Sequence, residues 1–320
     1  MRVLGEADVR TLLPMADCIE AMRALFRELA EGRWFNPLRS RTRPDGSPNW
    51  LTLMPVLRTG ERRLWGLKEM AVSPDNPARG LDPIQGAVLV HEGESGRLLG
   101  IVHAPTLTAL RTAAVSALAT QELARPGASV VAVIGAGVQG GMHLEAMRTI
   151  FPNAQLRLWG RSPDKGKALA ARFGATFIPS IEEAVRGADV VCTVTASAEP
   201  IVRRDWFGPG CHLNAVGSST PAARELDGAT IAAAAFFVDR REAALAESGD
   251  VLGALREGAI TPEHIRAELA EVVAGRVPGR RSADEFTLYK SLGFAAQDLA
   301  AAELALARAE QAGRGVEIPW

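Results

Sequence analysis

A glycine-rich turn between an apolar strand and a helix is the feature of this sequence that most constrains its fold. The turn, Gly135-Ala136-Gly137-Val138-Gln139-Gly140, fits the pattern G-x-G-x-x-G; an apolar run precedes it and a helical pattern over residues 142–150 follows. The first glycine allows a tight bend, the second lets the backbone approach a pyrophosphate, and the third lets helix and strand pack closely. We therefore predict a dinucleotide site that uses Gly135, Gly137, Val138, Gln139 and Gly140. The alternative is a glycine turn that binds nothing.

The arrangement of strands and helices predicts two kinds of structure. From residue 129 onward, short apolar runs alternate with helical patterns, which is typical of a parallel sheet with crossover helices, the doubly wound α/β class. Residues 36–103 instead show strand-like runs separated by turn clusters, which favours antiparallel pairing. A capping box of Ser180 and Glu183 is expected to open one helix. Further helical patterns cover residues 6–31, 106–124 and 294–312.

Composition excludes several functional classes. The 320 residues include 36 Lys and Arg against 37 Asp and Glu, so there is no basic field for nucleic acid or for a membrane surface. The three cysteines are far apart and the five histidines are scattered, which argues against disulfides and metal sites. No signal peptide or membrane-spanning pattern is evident. We expect a soluble cytoplasmic protein without a metal.

The end of the second strand of the α/β region bears on cofactor choice. An NAD site usually has an acidic residue there to hold the ribose 2′-hydroxyl. This chain has Trp159-Gly160-Arg161-Ser162 instead. The guanidinium of Arg161 suits a 2′-phosphate, and Ser162 can add a hydroxyl. The sequence therefore favours NADP(H), with NAD(H) left open, since Arg161 could also be a solvated loop residue.

Several stretches together resemble the ornithine cyclodeaminase/mu-crystallin family. They are GLKEMAVSPDNPARGL, QGAVLV, TLTALRTAAVSALATQELARP, VIGAGVQG, HLNAVGSSTPAARELD and YKSLGFAAQDLA, and they run in order over nearly the whole chain. The resemblance implies a homodimer. It also implies a substrate-binding and dimerisation domain of α+β type, residues 1–113 with 294–320. A central Rossmann domain, residues 114–293, would bind the dinucleotide.

The resemblance also implies which residues bind a substrate carboxylate: Arg41, Lys68 and Arg111. Arg39 and Arg43 are register alternatives to Arg41. The residues themselves support Lys68 separately, because it lies in an apolar run where a cation is costly unless it is paired. A desolvated lysine can also titrate near neutrality. For Lys68, the alternatives are a snorkelling lysine on an edge strand or a partner of Glu69. For Arg111, the alternative is an arginine on a helix surface. By resemblance, further cofactor contacts come from Thr112, Thr195, Val216 and Ser291.

Departures from the cyclodeaminase pattern bear on activity. Ser219 stands where cyclodeaminases carry an aspartate, Thr52 where they carry a glutamate, and Pro83 where they tend to have threonine. Serine cannot replace a carboxylate as a base at neutral pH. The sequence therefore favours an NAD(P)H-dependent reductase of a small α-imino acid, with Lys68, or a water held by Ser219, keeping the imine nitrogen protonated. The alternatives are an amino-acid dehydrogenase, an ornithine cyclodeaminase, a hydroxyproline dehydratase or a non-catalytic NADPH-dependent binding protein.

Lysine is rare in this chain, which gives Lys68 added interest. Only four of the 36 basic residues are lysines. Lys165 and Lys167 lie in a polar helix start, and Lys290 is expected in a loop. Lys68 would then be the one lysine in an apolar strand, where the chemistry could use an amine that loses its proton.

Overall fold

The computed structural model describes residues 1–319, which contain sixteen β-strands and eleven α-helices. The strands, in chain order, are β1 Arg2–Leu4, β2 Trp34–Phe35, β3 Ser40–Thr42, β4 Trp50–Arg58, β5 Leu64–Val72, β6 Ile84–Glu92, β7 Leu98–His103, β8 Val130–Ile134, β9 Gln155–Trp159, β10 Thr176–Phe177, β11 Val190–Thr193, β12 His212–Ala215, β13 Ala235–Val238, β14 Ile265–Glu268, β15 Thr287–Lys290 and β16 Val316–Glu317. The helices are α1 Glu6–Leu12, α2 Met15–Ala30, α3 Ala104–Leu123, α4 Val138–Ile150, α5 Pro163–Arg172, α6 Ile181–Val185, α7 Gly228–Ala232, α8 Arg241–Glu247, α9 Gly249–Arg256, α10 Leu269–Val273 and α11 Ala295–Ala312.

The chain divides into two compact units. Unit 1 joins Met1–Arg111 to the segment from Phe294 onward, and unit 2 is Thr112–Gly293. Helix α3 crosses the boundary between them. The assignment of substrate binding and dimerisation to the first part of the chain, and of dinucleotide binding to the second, stays a prediction.

Unit 1 contains one mixed sheet with the order β16-β1-β7-β6-β5-β4-β2, and β3 also pairs with β4. The four long strands β4 to β7 are antiparallel neighbours, as expected for residues 36–103. Helix α11 packs on β4, β5 and β6 and against α2. Along β5, the buried residues Leu64, Gly66 and Lys68 alternate with more exposed ones, so one face of the sheet is covered and contains the core.

Unit 2 contains a fully parallel sheet with the order β10-β9-β8-β11-β12-β15-β13-β14. Its five central strands, β8, β11, β12, β15 and β13, are buried along most of their length, as parallel strands covered on both faces should be. The strand order reverses between β8 and β11, which makes the carboxyl ends of these two strands the switch point where such sheets bind ligands. The predicted α/β class is confirmed.

Several expected element boundaries were wrong for local reasons. The helix expected over residues 6–31 is two helices, because Pro14 lacks an amide hydrogen and begins the second one as its N-cap. Helix α4 begins at Val138 rather than near residue 142, directly after Gly137. At α6, Ser180 accepts a hydrogen bond from the backbone of Glu183, but the reciprocal half of the expected capping box is not formed.

The described residues, 1–319, contain no helix long and apolar enough to cross a membrane. They also contain no group of three or more His, Cys, Asp and Glu side chains placed to hold a metal ion. Cys18, Cys192 and Cys211 are buried free thiols.

The contact of α11 with the sheet gives a stability prediction. A Cβ added at Gly66 would lie 2.8 Å from Val56 Cγ1 and 3.0 Å from Leu299 Cδ1. Gly66→Ala should therefore lower the free energy of unfolding by about 1–3 kcal/mol, the usual cost of overpacking, in urea titrations followed by circular dichroism. Gly208→Ala is the control, because a Cβ there meets no atom within 4 Å. Equal stability of the two variants would contradict this packing.

Candidate active site

Lys68 is buried in the covered face of the unit 1 sheet. Only 1% of its side chain is exposed, which excludes a snorkelling lysine. In register, Met54 of β4 and Val88 of β6 flank it on the two neighbouring strands. Because these neighbours are apolar, the ammonium group needs a partner from outside the sheet.

Asp298, in the first turn of α11, supplies that partner. Its Oδ1 atom accepts hydrogen bonds from Lys68 Nζ at 2.8 Å and from Arg111 Nε at 3.0 Å. Arg111 also donates through Nη1 to Gln297 Oε1 at 2.7 Å. The alternative pairing of Lys68 with Glu69 is not formed. The structure thus brings together two of the predicted carboxylate-binding residues around one buried carboxylate.

The electrostatics of this cluster favour an anionic ligand. Burial lowers the pKa of Lys68 to about 8, against the opposing charge of Asp298. Burial also works to raise the pKa of Asp298, but the charges of Arg111 and Lys68 outweigh it and hold that pKa below its usual range. With Asp298 ionised, two buried cations share one anion, and the cluster keeps an excess of positive charge when Lys68 is protonated.

The same cluster has N–H donors that make no hydrogen bond to the described part of the protein. Lys68 uses one of its three N–H donors and Arg111 two of its five in hydrogen bonds to protein atoms among residues 1–319. Buried donors are normally satisfied, so the remaining ones are suited to an incoming ligand. A planar carboxylate matches the geometry of a guanidinium fork.

Arg41 is placed by strand β3 of the same unit. It lies exposed on β3, opposite Thr52 of β4. The charge of the half-buried Arg39 contributes to the lowered pKa of Lys68. The choice among the arginines of residues 39–43 as a third carboxylate ligand stays open.

In unit 2, the glycine turn has the geometry that a dinucleotide needs. Gly135 has φ +133°, and a Cβ at Gly140 would lie 2.0 Å from the carbonyl oxygen of Gly135, so both positions require glycine. Gly137 is different, because a Cβ there would meet no protein atom within 4 Å. This glycine leaves open space at the N-terminus of α4, where the helix favours phosphate. Val138, 70% exposed, and Gln139 follow it in the first turn.

An open pocket of about 480 Å³ lies beside the end of β9. It is lined by Trp159, Gly160, Arg161, Pro163, Lys167, Phe177 and Pro179. The lining contains two cationic side chains and no carboxylate. Ser162 is the N-cap of α5 and is not part of this lining. The pocket can therefore accept an anionic group beside Arg161 and Lys167.

The remaining predicted cofactor residues follow neighbouring strands. Thr195, Val216 and Ser291 come just after β11, β12 and β15, at the carboxyl edge of the parallel sheet. Ser219 lies half-buried in the loop after β12. Thr112 is buried within α3.

The structure corrects the placement of Lys290. It is not in a loop: it is the last residue of β15, 1% exposed, with Nζ 2.9 Å from Asp250 Oδ2. Lys68 is therefore not the one lysine in an apolar strand. Sequence reasoning also missed Asp298, Glu225 and Asp250. Only Asp298 stands in a mostly apolar stretch, which is a usable signal for a buried partner, whereas charged residues flank Glu225 closely.

Comparison with known proteins shows full-length similarity. The family model for the ornithine cyclodeaminase/mu-crystallin family matches residues 1–313. The ketimine reductase mu-crystallin of Rattus norvegicus is 38% identical over 288 residues, 89% of each chain. The Δ1-pyrroline-2-carboxylate reductase of Thermococcus litoralis, solved with NADH and L-proline, has a TM-score of 0.94 and 32% identity, and the match covers 99% of this chain and all of that one. An archaeal alanine dehydrogenase dimer with bound NAD has a TM-score of 0.93 and 31% identity, covering 100% and 99%.

The cluster around Asp298 gives a second stability prediction. Asp298→Asn removes the one negative charge beside Lys68 and Arg111, and leaving buried cations uncompensated should cost about 3–5 kcal/mol in the free energy of unfolding, measured by urea titration. Asp227→Asn is the control: Asp227 caps α7 by accepting from the backbone of Thr230, and asparagine caps equally well. If both variants lose the same stability, Asp298 does not carry this role.

Proposed function

The chain belongs to the ornithine cyclodeaminase/mu-crystallin family, and from this premise we propose that it is an NAD(P)H-dependent reductase that converts a small α-imino acid, open-chain or cyclic, into an amino acid. The observation that carries the proposal is the cluster of Lys68 and Arg111 on one buried carboxylate, with positive charge and hydrogen-bond donors to spare. The reductase relatives and the solved complex with NADH and L-proline support it.

In this mechanism, Lys68 and Arg111 bind the substrate carboxylate. Asp298 fixes both side chains from one oxygen atom, so their free N–H groups are oriented before the substrate arrives. An arginine of residues 39–43 adds a third cation. Holding the carboxylate in place positions the imine carbon of the substrate to receive a hydride.

Lys68 also serves as a proton donor to the imine nitrogen. Its pKa of about 8 lets it hold a proton at neutral pH and give it up in the low-polarity site. Lys68, or a water held by Ser219, keeps the imine nitrogen protonated, which makes the imine carbon electrophilic. When bound, the reduced nicotinamide supplies the hydride. Hydride addition to the protonated imine gives the amino acid with a neutral amine, which then takes up a second proton from solvent.

We propose NADP(H) as the preferred cofactor, with NAD(H) also bound. The glycine turn fits a pyrophosphate, because Gly137 leaves room at the start of α4. Arg161 and Lys167 line the pocket beside β9, where a 2′-phosphate would bring two negative charges. Solved relatives hold NADH or NAD, which supports a nicotinamide cofactor but does not distinguish NADP(H) from NAD(H).

We also propose a homodimer formed through the outer face of the unit 1 sheet. That face is unusually apolar for a sheet surface that α11 does not cover. Its exposed or half-buried members are Leu51, Leu53, Pro55, Leu57, Trp65, Leu67, Leu89 and Ile101. Trp65 is 48% exposed. The dimeric alanine dehydrogenase relative supports a second copy as the occupant.

The cytoplasm is the compartment that we propose. All three cysteines are buried thiols, and burial raises the pKa of each to about 12. Free thiols are common in a reducing compartment.

The activity prediction uses NADPH with Δ1-pyrroline-2-carboxylate or Δ1-piperideine-2-carboxylate, followed as loss of NADPH absorbance. The wild type should turn over at least one of them, and Lys68→Met should lose about 100-fold or more in kcat/KM, since both a carboxylate ligand and a proton donor are removed. Because protonated Lys68 is the active form, kcat/KM should fall as pH rises through about 8.

Lys68→Arg separates the two roles of the lysine. It keeps the positive charge but does not titrate in this range, so it should bind substrate, react slowly and lose the decline near pH 8. Tight NADPH binding without turnover of any imino acid would reject the reductase and favour a binding protein. Ammonia release from ornithine would instead favour a cyclodeaminase.

The cofactor prediction concerns Arg161. Arg161→Ala should weaken NADPH binding about tenfold or more, because charged hydrogen bonds to the 2′-phosphate are lost, and should leave NADH binding nearly unchanged. Fluorescence titration of each cofactor measures this. Lys165→Ala is the matched control, since Lys165 is an exposed cation four residues further along, on α5, but does not line the pocket. Equal weakening of both cofactors would remove Arg161 from the 2′-phosphate site.

A further inference from the structure

One buried carboxylate ties together the ends of two strands at the carboxyl edge of the unit 2 sheet. Glu225 is fully buried. Its Oε1 accepts hydrogen bonds from the backbone N–H of Thr195 at 2.6 Å and from Thr195 Oγ1 at 2.8 Å. Its Oε2 accepts from Thr193 Oγ1 at 2.9 Å and from the backbone N–H of Gly217 at 2.8 Å. The chain segments after β11 and β12 are therefore held by the same side chain.

The donor pattern demands a carboxyl group at this position. Each Glu225 oxygen accepts one backbone N–H, and a backbone N–H can only donate. A glutamine would place its NH₂ group against one of these N–H groups in either orientation. The fit is also tight: a Cβ at Gly217 would lie 2.6 Å from Glu225 Oε1 and 2.0 Å from the carbonyl oxygen of Thr195.

Glu225 is itself fixed by a second buried acid. Asp250 Oδ1 accepts from the backbone N–H groups of Glu225 and Leu226 at 2.7 and 2.9 Å. Asp250 Oδ2 lies 2.9 Å from Nζ of Lys290, the last residue of β15. Burial raises the pKa of Glu225, with the charge of Asp250 adding to this and that of Lys290 opposing it. The network thus reaches the end of a third neighbouring strand.

We propose that Glu225 is a positioning residue for the cofactor, which holds the segments after β11 and β12 in the conformation that binds the part of the dinucleotide common to NADH and NADPH. The inference rests on the proposed reductase function. The observation behind it is the position of the hydrogen-bond donors to Glu225. They lie at Thr195 and at Gly217, next to Val216, on the carboxyl edge where sheets of this class bind nucleotides. Glu225 acts through these segments and is not placed in contact with the cofactor.

The test compares Glu225→Gln with wild type and with Asp227→Asn, a neighbouring acid-to-amide change. Cofactor affinity is measured by fluorescence titration with NADPH and with NADH. Glu225→Gln should weaken both by the same factor, about ten- to hundredfold, because a buried donor is left unsatisfied and the segments shift. The ratio of the two affinities should stay at the wild-type value, unlike in Arg161→Ala. Asp227→Asn should leave both affinities unchanged.

Hydrogen–deuterium exchange of the cofactor-free protein provides a readout of the segments themselves. Glu225→Gln should speed exchange in peptides covering residues 193–197 and 215–219 but not in those covering residues 84–103 of unit 1. If Glu225→Gln does not fold, Thr193→Val replaces it, since it keeps the shape and removes one of the four bonds. It should weaken both cofactors about three- to fivefold.

The outcomes separate the two proposals. Folded variants with wild-type affinity for both cofactors, or with unchanged exchange in residues 193–197 and 215–219, would overturn the role of Glu225. A change in the NADPH-to-NADH ratio would also overturn it, because it would place Glu225 with the 2′-phosphate. Wild-type protein that binds neither cofactor would overturn the reductase itself.

Discussion

The fold of unit 1 depends on the neutralisation of two buried cations. Lys68 and Arg111 come from a strand and a helix in the first part of the chain, and both donate to Asp298 Oδ1 in α11. An unpaired charge in this position would be too costly to bury, so the C-terminal helix must dock on the sheet for the cluster to form. The same pairing leaves the cations short of one negative charge. The stability of unit 1 and the anion affinity that we propose for this cluster therefore depend on the same carboxylate.

Much of the fold could be predicted from local sequence. The alternation of short apolar runs with helical patterns predicted the parallel sheet, and the glycine turn marked its first strand–helix connection, because both signals are set by backbone geometry within a few residues. Helix boundaries were less predictable. Hydrophobic periodicity continues across Pro14, yet the missing amide hydrogen divides the helix there. The start of α4 was placed late because Gly137 and its neighbours carry little periodic signal, although glycine is an acceptable N-cap.

The site was predictable only in part. Lys68 and Arg111 were selected by resemblance to the family, with their apolar surroundings as separate support, and the structure brings the two together. Their partner lies 230 residues from Lys68, and no local pattern specifies a contact over that separation. Lys290 shows the limit of the same argument. The strand it ends is short, so the residue looked like part of a loop, and its pairing with Asp250 depends on the order of strands in the sheet.

The discontinuity of unit 1 has a consequence for the order of events during synthesis. Unit 2 is continuous, Thr112–Gly293, so all of its strands have been made before α11 leaves the ribosome. Strands β1 to β7 of unit 1 are made first but lack their covering helix, and Lys68 lacks Asp298 as its counter-charge until that residue is translated. The long-range contacts that complete unit 1 can therefore form only after the whole of unit 2 has been synthesised. Until then the sheet face that α11 covers in the finished protein, the face to which Lys68 belongs, lacks that cover.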